Sequence, residues 1–354
     1  MKRIKILIIF LIIAALSACQ VFLGSDSDTS RKEILYSLWK DFDEIHAYID
    51  IRMSHNQNFN SWKEVYDVYS SKISAGTDDR ELFEICKDML RELNDPHVGL
   101  YSPDAYSSGE NEGVRKGVNR EKISGYLDDG GKTSNDKDKF FLYGRFISKP
   151  QVGYIHIASF MDNDSNPDSP QKWVKAIDGI VVSLADTDAI IVDIRGNGGG
   201  LSVNADYIAA RFASVQKNYS KLSMKNGPGR GDFSTPIIGT IKPAGKRYTK
   251  TIVLLTNKES VSAAEWFTLA LRTQSHVKHM GTITCGAFSP KVERPMINGW
   301  YYSISPGRVT DMAGNCYEGI GLTPEKEVTD EGEGSWSRPD PDKQLEGVLA
   351  CLNP

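Results

Sequence analysis

Between Lys32 and Leu93, apolar and aromatic residues recur three and four positions apart: Leu35, Leu38 and Phe42, then Val65, Val68 and Tyr69, then Leu82, Ile85 and Met89. That spacing places each set on one face of a helix, so the N-terminal part is predicted to be helix-rich, with Trp39 and Trp62 as core anchors. The periodicity then breaks. Pro103–Asp138 is rich in Gly, Ser, Asp, Asn and Lys and reads as a loop-dominated connection. Tyr154–Phe160 alternates as a strand does, whereas Ala189–Asp193 and Ile252–Leu255 are near-continuous apolar runs, the signature of buried strands. Lys217–Arg247 is polar and contains an Arg-Gly-Asp triplet, Arg230–Asp232, read as a turn. Gly299–Ile304 alternates again and is expected to line a groove, and Glu331 and Glu333 mark a loose tail. No internal repeat or heptad is present.

Two apolar runs end in chemistry. Ile252–Leu255 is followed by a turn at Asn257–Glu259 and by Ser262 at the start of a helical pattern. A serine there lies at the positive end of a helix and at the carboxyl edge of a sheet, where open α/β sheets bind ligands. The same position also suits a serine that only caps its helix. The run Ala189–Asp193 leads into Arg195, Asn197 and three consecutive glycines, Gly198–Gly200. Glycines at that density let backbone N–H groups face a phosphate or a developing oxyanion, or simply make a tight turn. No Gly-Lys-Ser/Thr follows and the glycines are not spaced as in a dinucleotide fingerprint, which sets both nucleotide motifs aside.

Five segments in order resemble the C-terminal processing and tricorn-like serine peptidases, the tail-specific protease superfamily. They are LNDPHVGL with Asp95-Pro96-His97, VGYIHIASF at 152–160, DIRGNGGGL, SVSAAE at 260–265 and DMAGNCYEGIGLTP at 311–324. The resemblance implies an α/β fold: an open crotonase/ClpP-like mixed sheet flanked by helices and preceded by an N-terminal helical cap. It implies a serine peptidase acting on peptides or unfolded proteins, with Ser262 as nucleophile and no metal or cofactor. The position where the processing branch carries its lysine base falls on Ala287, and the nearest lysine is Lys291. The tricorn-like branch uses a histidine and a glutamate instead, which match His97 and Glu318. The serine that can precede that histidine is here Pro96, leaving open how Glu318 couples to His97. The oxyanion donors implied are the amides of Gly199 and Ala263, with Gly200 beside them. A PDZ module usual in processing proteases has too little room between His97 and Val152. The expected organisation is 1–19 signal and lipidated cysteine, 20–31 tether, 32–100 helical domain, 101–150 connection, 151–330 catalytic core and 331–354 tail. The alternative is a non-catalytic binding protein on the same fold, as in retinoid-binding relatives. An esterase using the same nucleophile is a third reading.

Composition adds limits. With 42 basic and 46 acidic residues among 354, the net charge is −4, and no basic patch interleaves with aromatics, which argues against nucleic acid. Three basic residues within Met1–Lys5 precede the apolar run Ile6–Leu16 and then Leu16-Ser17-Ala18-Cys19. This resembles a bacterial lipoprotein signal. It implies lipidation of Cys19, membrane attachment through the acyl chains, and a cell-envelope location; Gln20, in place of Asp, points to the outer membrane. Cys86, Cys285, Cys316 and Cys351 remain, and Cys285 with Cys316 is the candidate disulfide. His276 and His279 lack a third ligand at regular spacing and are expected on a solvated loop. His156 reads as structural, and His46 and His55 fall in the helical segment.

Overall fold

In the N-terminal layer four helices bury the apolar faces that their sequence spacing predicts. The computed structural model describes residues 31–103, 118–134, 139–161, 170, 172–329 and 341–352. Cys19 and the segment expected to be its signal lie outside the described residues. Helix α1 (Arg31–Ile45) buries Ile34, Leu35, Leu38 and Phe42; α2 is Ile49–Ser54. Helix α3 (Trp62–Ser71) starts where Ser61 accepts the Glu64 N–H, and α4 (Asp79–Arg91) starts at a reciprocal capping box between Asp78 and Glu81. Trp39 and Trp62 each donate their indole N–H to the other's carbonyl, at 2.9 and 3.0 Å, which satisfies both rings while they pack. Val68, grouped with the inward positions by spacing, is exposed instead.

The helical layer closes over a small antiparallel sheet of order β1 (Gly99–Tyr101), β11 (Tyr301–Ile304) and β10 (Val292–Pro295). Leu100, Tyr302 and Ile304 join Leu35, Phe42 and Phe83 in one apolar cluster. Residues 99–101 and 292–304, far apart in the chain, are therefore packed together in one layer.

The main sheet has seven strands: β2 (Lys132–Thr133), β3 (Phe141–Arg145), β4 (Val152–Ile157), β5 (Ala189–Asp193), β8 (Thr251–Thr256), β9 (Val277–Gly281) and β13 (Lys326–Glu327). From β4 to β13 the pairs are parallel, and β2–β3–β4 is antiparallel, so the sheet is mixed. Helices α6 (Ala176–Ser183), α7 (Ser202–Ala209) and α8 (Ala263–Arg272) pack their apolar residues in the core that β4, β5 and β8 line. Every residue of β4 and β5 is buried, as a doubly covered parallel sheet requires.

Several expectations are corrected. The polar stretch 217–247 contributes a hairpin, β6 (Lys217–Met224) with β7 (Ile237–Ile241), extended by β12 (Gly307–Thr310). The connection 101–150 supplies a helix, α5 (Arg120–Ser124), and strand β2. His279 is not on a solvated loop: it is buried in β9, 2.8 Å from Thr256 Oγ1, and burial lowers it to about 3. His276 is fixed to the Phe212 carbonyl at 2.9 Å. In the Arg-Gly-Asp turn, Arg230 pairs with Asp43 and Asp50 of the helical layer. Glu331 and Glu333 lie outside the described residues, but the chain resumes as a packed helix, α9 (Lys343–Cys351), with Leu345 and Val348 buried against Val253 and Leu255.

Among the described residues no disulfide joins Cys86, Cys285, Cys316 or Cys351. Backbone bonds hold the Cys285 and Cys316 segments in register without a disulfide: Gly319 N–H donates to the Gly286 carbonyl at 2.8 Å and Leu322 N–H to Thr284 Oγ1 at 2.7 Å.

Candidate active site

Ser262 caps α8 with φ 57° and ψ −118°, a backbone region that costs a non-glycine residue about 1–3 kcal/mol. The strain is held by its surroundings. Ser262 N–H donates both to the Ala287 carbonyl and to Glu265 Oε2, each at 3.1 Å. Glu265 is fully buried and also accepts from Thr284 Oγ1 (2.6 Å), Gly286 N–H (2.7 Å) and Ala287 N–H (2.8 Å). Burial raises its carboxyl to about 7 against those four donors, which favour the charge. One carboxylate thus fastens residues 284–287 across the base of the serine turn.

The glycine loop after β5 comes in from the other side. Ser260 Oγ donates to the Ile194 carbonyl (2.8 Å), Val261 N–H to the Asn197 carbonyl (3.0 Å), and Gly196 N–H to Asn257 Oδ1 (3.0 Å). A Cβ on Gly199 would lie 2.8 Å from Ser262 Cβ and 3.0 Å from Ala263 N, so glycine permits this approach. Sequence reasoning nominated the Gly199, Gly200 and Ala263 amides, and the three differ. Gly199 N–H is turned onto Asn197 Oδ1 at 2.9 Å, whereas the Gly200 and Ala263 amides donate to no group among the described residues. The Gly199 carbonyl is bonded to Phe160 N–H, so the trans peptide that follows points Gly200 N–H away from Phe160.

Arg195 ties the start of the loop to the C-terminal helix. Buried beneath the sheet edge, it donates to both oxygens of Asp193, to both of Asp342 and to Gln344 Oε1, at 2.6 to 3.0 Å. Asp342 and Gln344 belong to the start of α9, so the C-terminal helix locks the glycine loop.

His97 and Glu318 are joined by a buried ionic network. His97 N–H bonds to Asp95 Oδ1 at 2.9 Å, His97 Nδ1 lies 3.9 Å from the same oxygen, and the His97 carbonyl accepts from Ser303 Oγ at 2.7 Å. Asp95 Oδ2 accepts from Ser305 Oγ (2.7 Å) and contacts His46 Nε2 (3.0 Å). Arg52 faces Asp95 Oδ1 at 3.6 Å and pairs with Glu318 Oε1, while Glu318 Oε2 accepts from Phe288 N–H at 2.8 Å. Burial pushes both carboxyls upward; at Asp95, Arg52 and His46 overcome it and hold the group ionised, well below the usual range. The described bonds therefore run from Ser262 through Ala287–Phe288 to Glu318, Arg52, Asp95 and His97. No cluster of three or more metal-ligating residues occurs among the described residues.

The Peptidase family S41 model matches residues 151–328, half of the 354-residue chain. The chain belongs to peptidase family S41. The carboxy-terminal processing protease CtpB of Bacillus subtilis (strain 168) is 24% identical over 184 residues, 52% of this chain and 35% of CtpB. CtpA of the same strain is 26% identical over 174 residues, 49% of this chain and 34% of CtpA. The chain thus spans about a third of the length of the curated relatives it matches. The crystal structure of a candidate peptidase from Parabacteroides merdae ATCC 43184 superposes with a TM-score of 0.75 at 24% identity, covering 92% of this chain and 98% of that one. Mature CPAF complexed with lactacystin gives 0.66 at 12% identity, over 91% and 97%. At these identities the structures establish a shared fold, the mixed α/β sheet flanked by helices.

Within this S41 chain the lysine position of the processing branch, Ala287, is fully buried and used through its backbone. Lys291 points at Glu293, 3.8 Å away, with its side chain 37% exposed. Sequence reasoning missed the parts played by His46, Arg52, Ser305 and Glu265. Glu265 lies inside a quoted motif and could have been found as a buried acid three residues into the helix. Arg52 carries no local signal.

Proposed function

We propose that this S41 chain is a serine-type peptidase that cleaves peptides or unfolded proteins through an acyl-enzyme. Ser262 Oγ is the nucleophile and His97 the base. Asp95 faces Nδ1, which leaves Nε2 to take the serine proton and return it to the leaving amine; a positioned base of this kind contributes ~10²–10⁴ in rate. The Ala263 and Gly200 amides receive the oxyanion, each donor being worth ~3–4 kcal/mol. Gly199 supplies the close approach. Glu318 supports the histidine through Arg52. Lipidation at Cys19 would hold the enzyme at the bacterial envelope, where unfolded chains are its substrates.

The observation that carries the reading is the strained Ser262 at a helix N-terminus, with the Ala263 and Gly200 N–H groups donating to nothing among the described residues. A serine that only capped its helix would not need a positive φ. Incubation with a fluorophosphonate probe followed by peptide mass mapping tests this: the reading expects one adduct, on Ser262, blocked by heat unfolding. A folded protein that carries no adduct would overturn it in favour of ligand binding without catalysis.

A further inference from the structure

Resting on the Ser–His reading, we infer that Arg52 is a positioning residue that sets His97 against Ser262 and through which Glu318 acts. Arg52 sits on α2, in the helical layer, and is 6% exposed. Its guanidinium meets three separate segments of the site. Nη1 donates to the Asn94 carbonyl at 2.7 Å; Nη2 donates to the Gly286 carbonyl at 3.2 Å and to Glu318 Oε1, and faces Asp95 at 3.6 Å. Asn94, at φ 47°, opens the turn that carries Asp95 and His97. Gly286 precedes Ala287, whose carbonyl holds Ser262 N–H. One planar group therefore fixes the spacing between the histidine turn and the serine turn, which are distant in the chain. A forked cation can do this where a lysine's single ammonium cannot.

Stability alone is a poor reason for such a cluster. Buried ion pairs commonly break even against apolar packing, and the helical layer already has a continuous apolar core. Register is the better-attested return. The network also resolves the difficulty posed by Pro96. Glu318 has one oxygen on Arg52 and the other on Phe288 N–H, so its influence reaches His97 by way of Arg52 and Asp95. The charged or titratable groups facing Asp95 are His46, Arg52 and His97. Those around Glu318 are Arg52, Asp95, Tyr48 and Cys316.

The test uses the chain from Gln20 onward as wild type, Arg52→Lys, Arg52→Gln, Glu318→Gln and the double variant Arg52→Gln/Glu318→Gln, with circular dichroism to establish folding. The second-order rate of fluorophosphonate labelling at Ser262 is measured from pH 5 to 9. Loss of register lowers the rate of Arg52→Gln by ~10²-fold, the scale of a displacement near 1 Å. Arg52→Lys recovers part of that rate. Removing one cation also moves the acidic limb of the profile to higher pH. The double variant, which removes both members of the pair and cannot be lost to an unpaired buried carboxylate, keeps the rate low. Its loss is no greater than that of Arg52→Gln, because the two residues act as one unit. A folded Arg52→Gln labelled at the wild-type rate, or losses from the two single variants that multiply, overturns this inference alone. A folded wild type that is not labelled overturns the peptidase reading and this inference with it.

Discussion

The clamp around Arg195 makes the sharpest stability prediction, because every partner is known and buried. Asp342 offers Oδ1 and Oδ2 to the two Nη atoms of Arg195, both at 3.0 Å, and Oδ1 also caps α9 through Leu345 N–H at 2.9 Å. Asp342→Asn keeps the cap and the volume but sets an amide N–H₂ against the guanidinium. That forfeits one charge-assisted bond, about 2 kcal/mol. Asp342→Ala forfeits both such bonds and a cap worth about 1 kcal/mol, so the cost rises to roughly 5 kcal/mol. Arg195→Met costs at least as much, about 5 kcal/mol, since it leaves Asp193 and Asp342 buried without a cation. Urea titrations followed by tryptophan fluorescence give the order directly. With a slope near ~3 kcal/mol/M, Asp342→Ala lowers the midpoint by about 1.7 M. Midpoints of Asp342→Ala within a few tenths molar of wild type, or an Arg195→Met variant no worse than Asp342→Asn, would refute the claim that α9 locks the glycine loop.

Three further outcomes are expected. Gly200→Ala places a Cβ 2.2 Å from the Phe160 carbonyl carbon at φ 135°, so that variant loses labelling at Ser262 and unfolds at lower urea than wild type. Glu265, raised by burial from 4.5 to about 7, has its full contribution to stability below pH 4.5 and loses ~3 kcal/mol of it as pH rises to 7, since the unfolded chain gives up the proton first. Glu265→Gln lacks this slope, so the stability difference between wild type and variant must shrink from pH 5 to pH 7.5 in paired denaturation curves; a constant difference would contradict the assignment. Lys291→Ala, which removes only a partly exposed pair with Glu293, should leave peptidase turnover within twofold of wild type.

What the sequence made legible follows from how local each signal is. The strand residues 189–193 and 252–256 are buried on both faces, so continuous apolar runs identified them without ambiguity. Ser262 and the glycine loop were legible because a turn between a buried strand and a helix carries its chemistry within a few residues. The 217–247 stretch was read only as polar because β6 and β7 present largely open faces, leaving little alternation to detect. His279 sits in a five-residue strand whose last positions were too short to separate from the preceding loop. The network of His46, Arg52, Asp95 and Glu318 was invisible for a different reason. Arg52 and Glu318 alone lie 266 residues apart in the chain, and only the packing of the helical layer against the small sheet brings the members together. The same holds for Arg195 and Asp342, 147 residues apart.

The most direct test of the central claim is degradation of casein by the chain beginning at Gln20, with wild type, Ser262→Ala and His97→Ala run in parallel and folding checked by circular dichroism. The account predicts cleavage by wild type and none above background by either folded variant. Turnover that survives in Ser262→Ala or His97→Ala would contradict the Ser–His assignment.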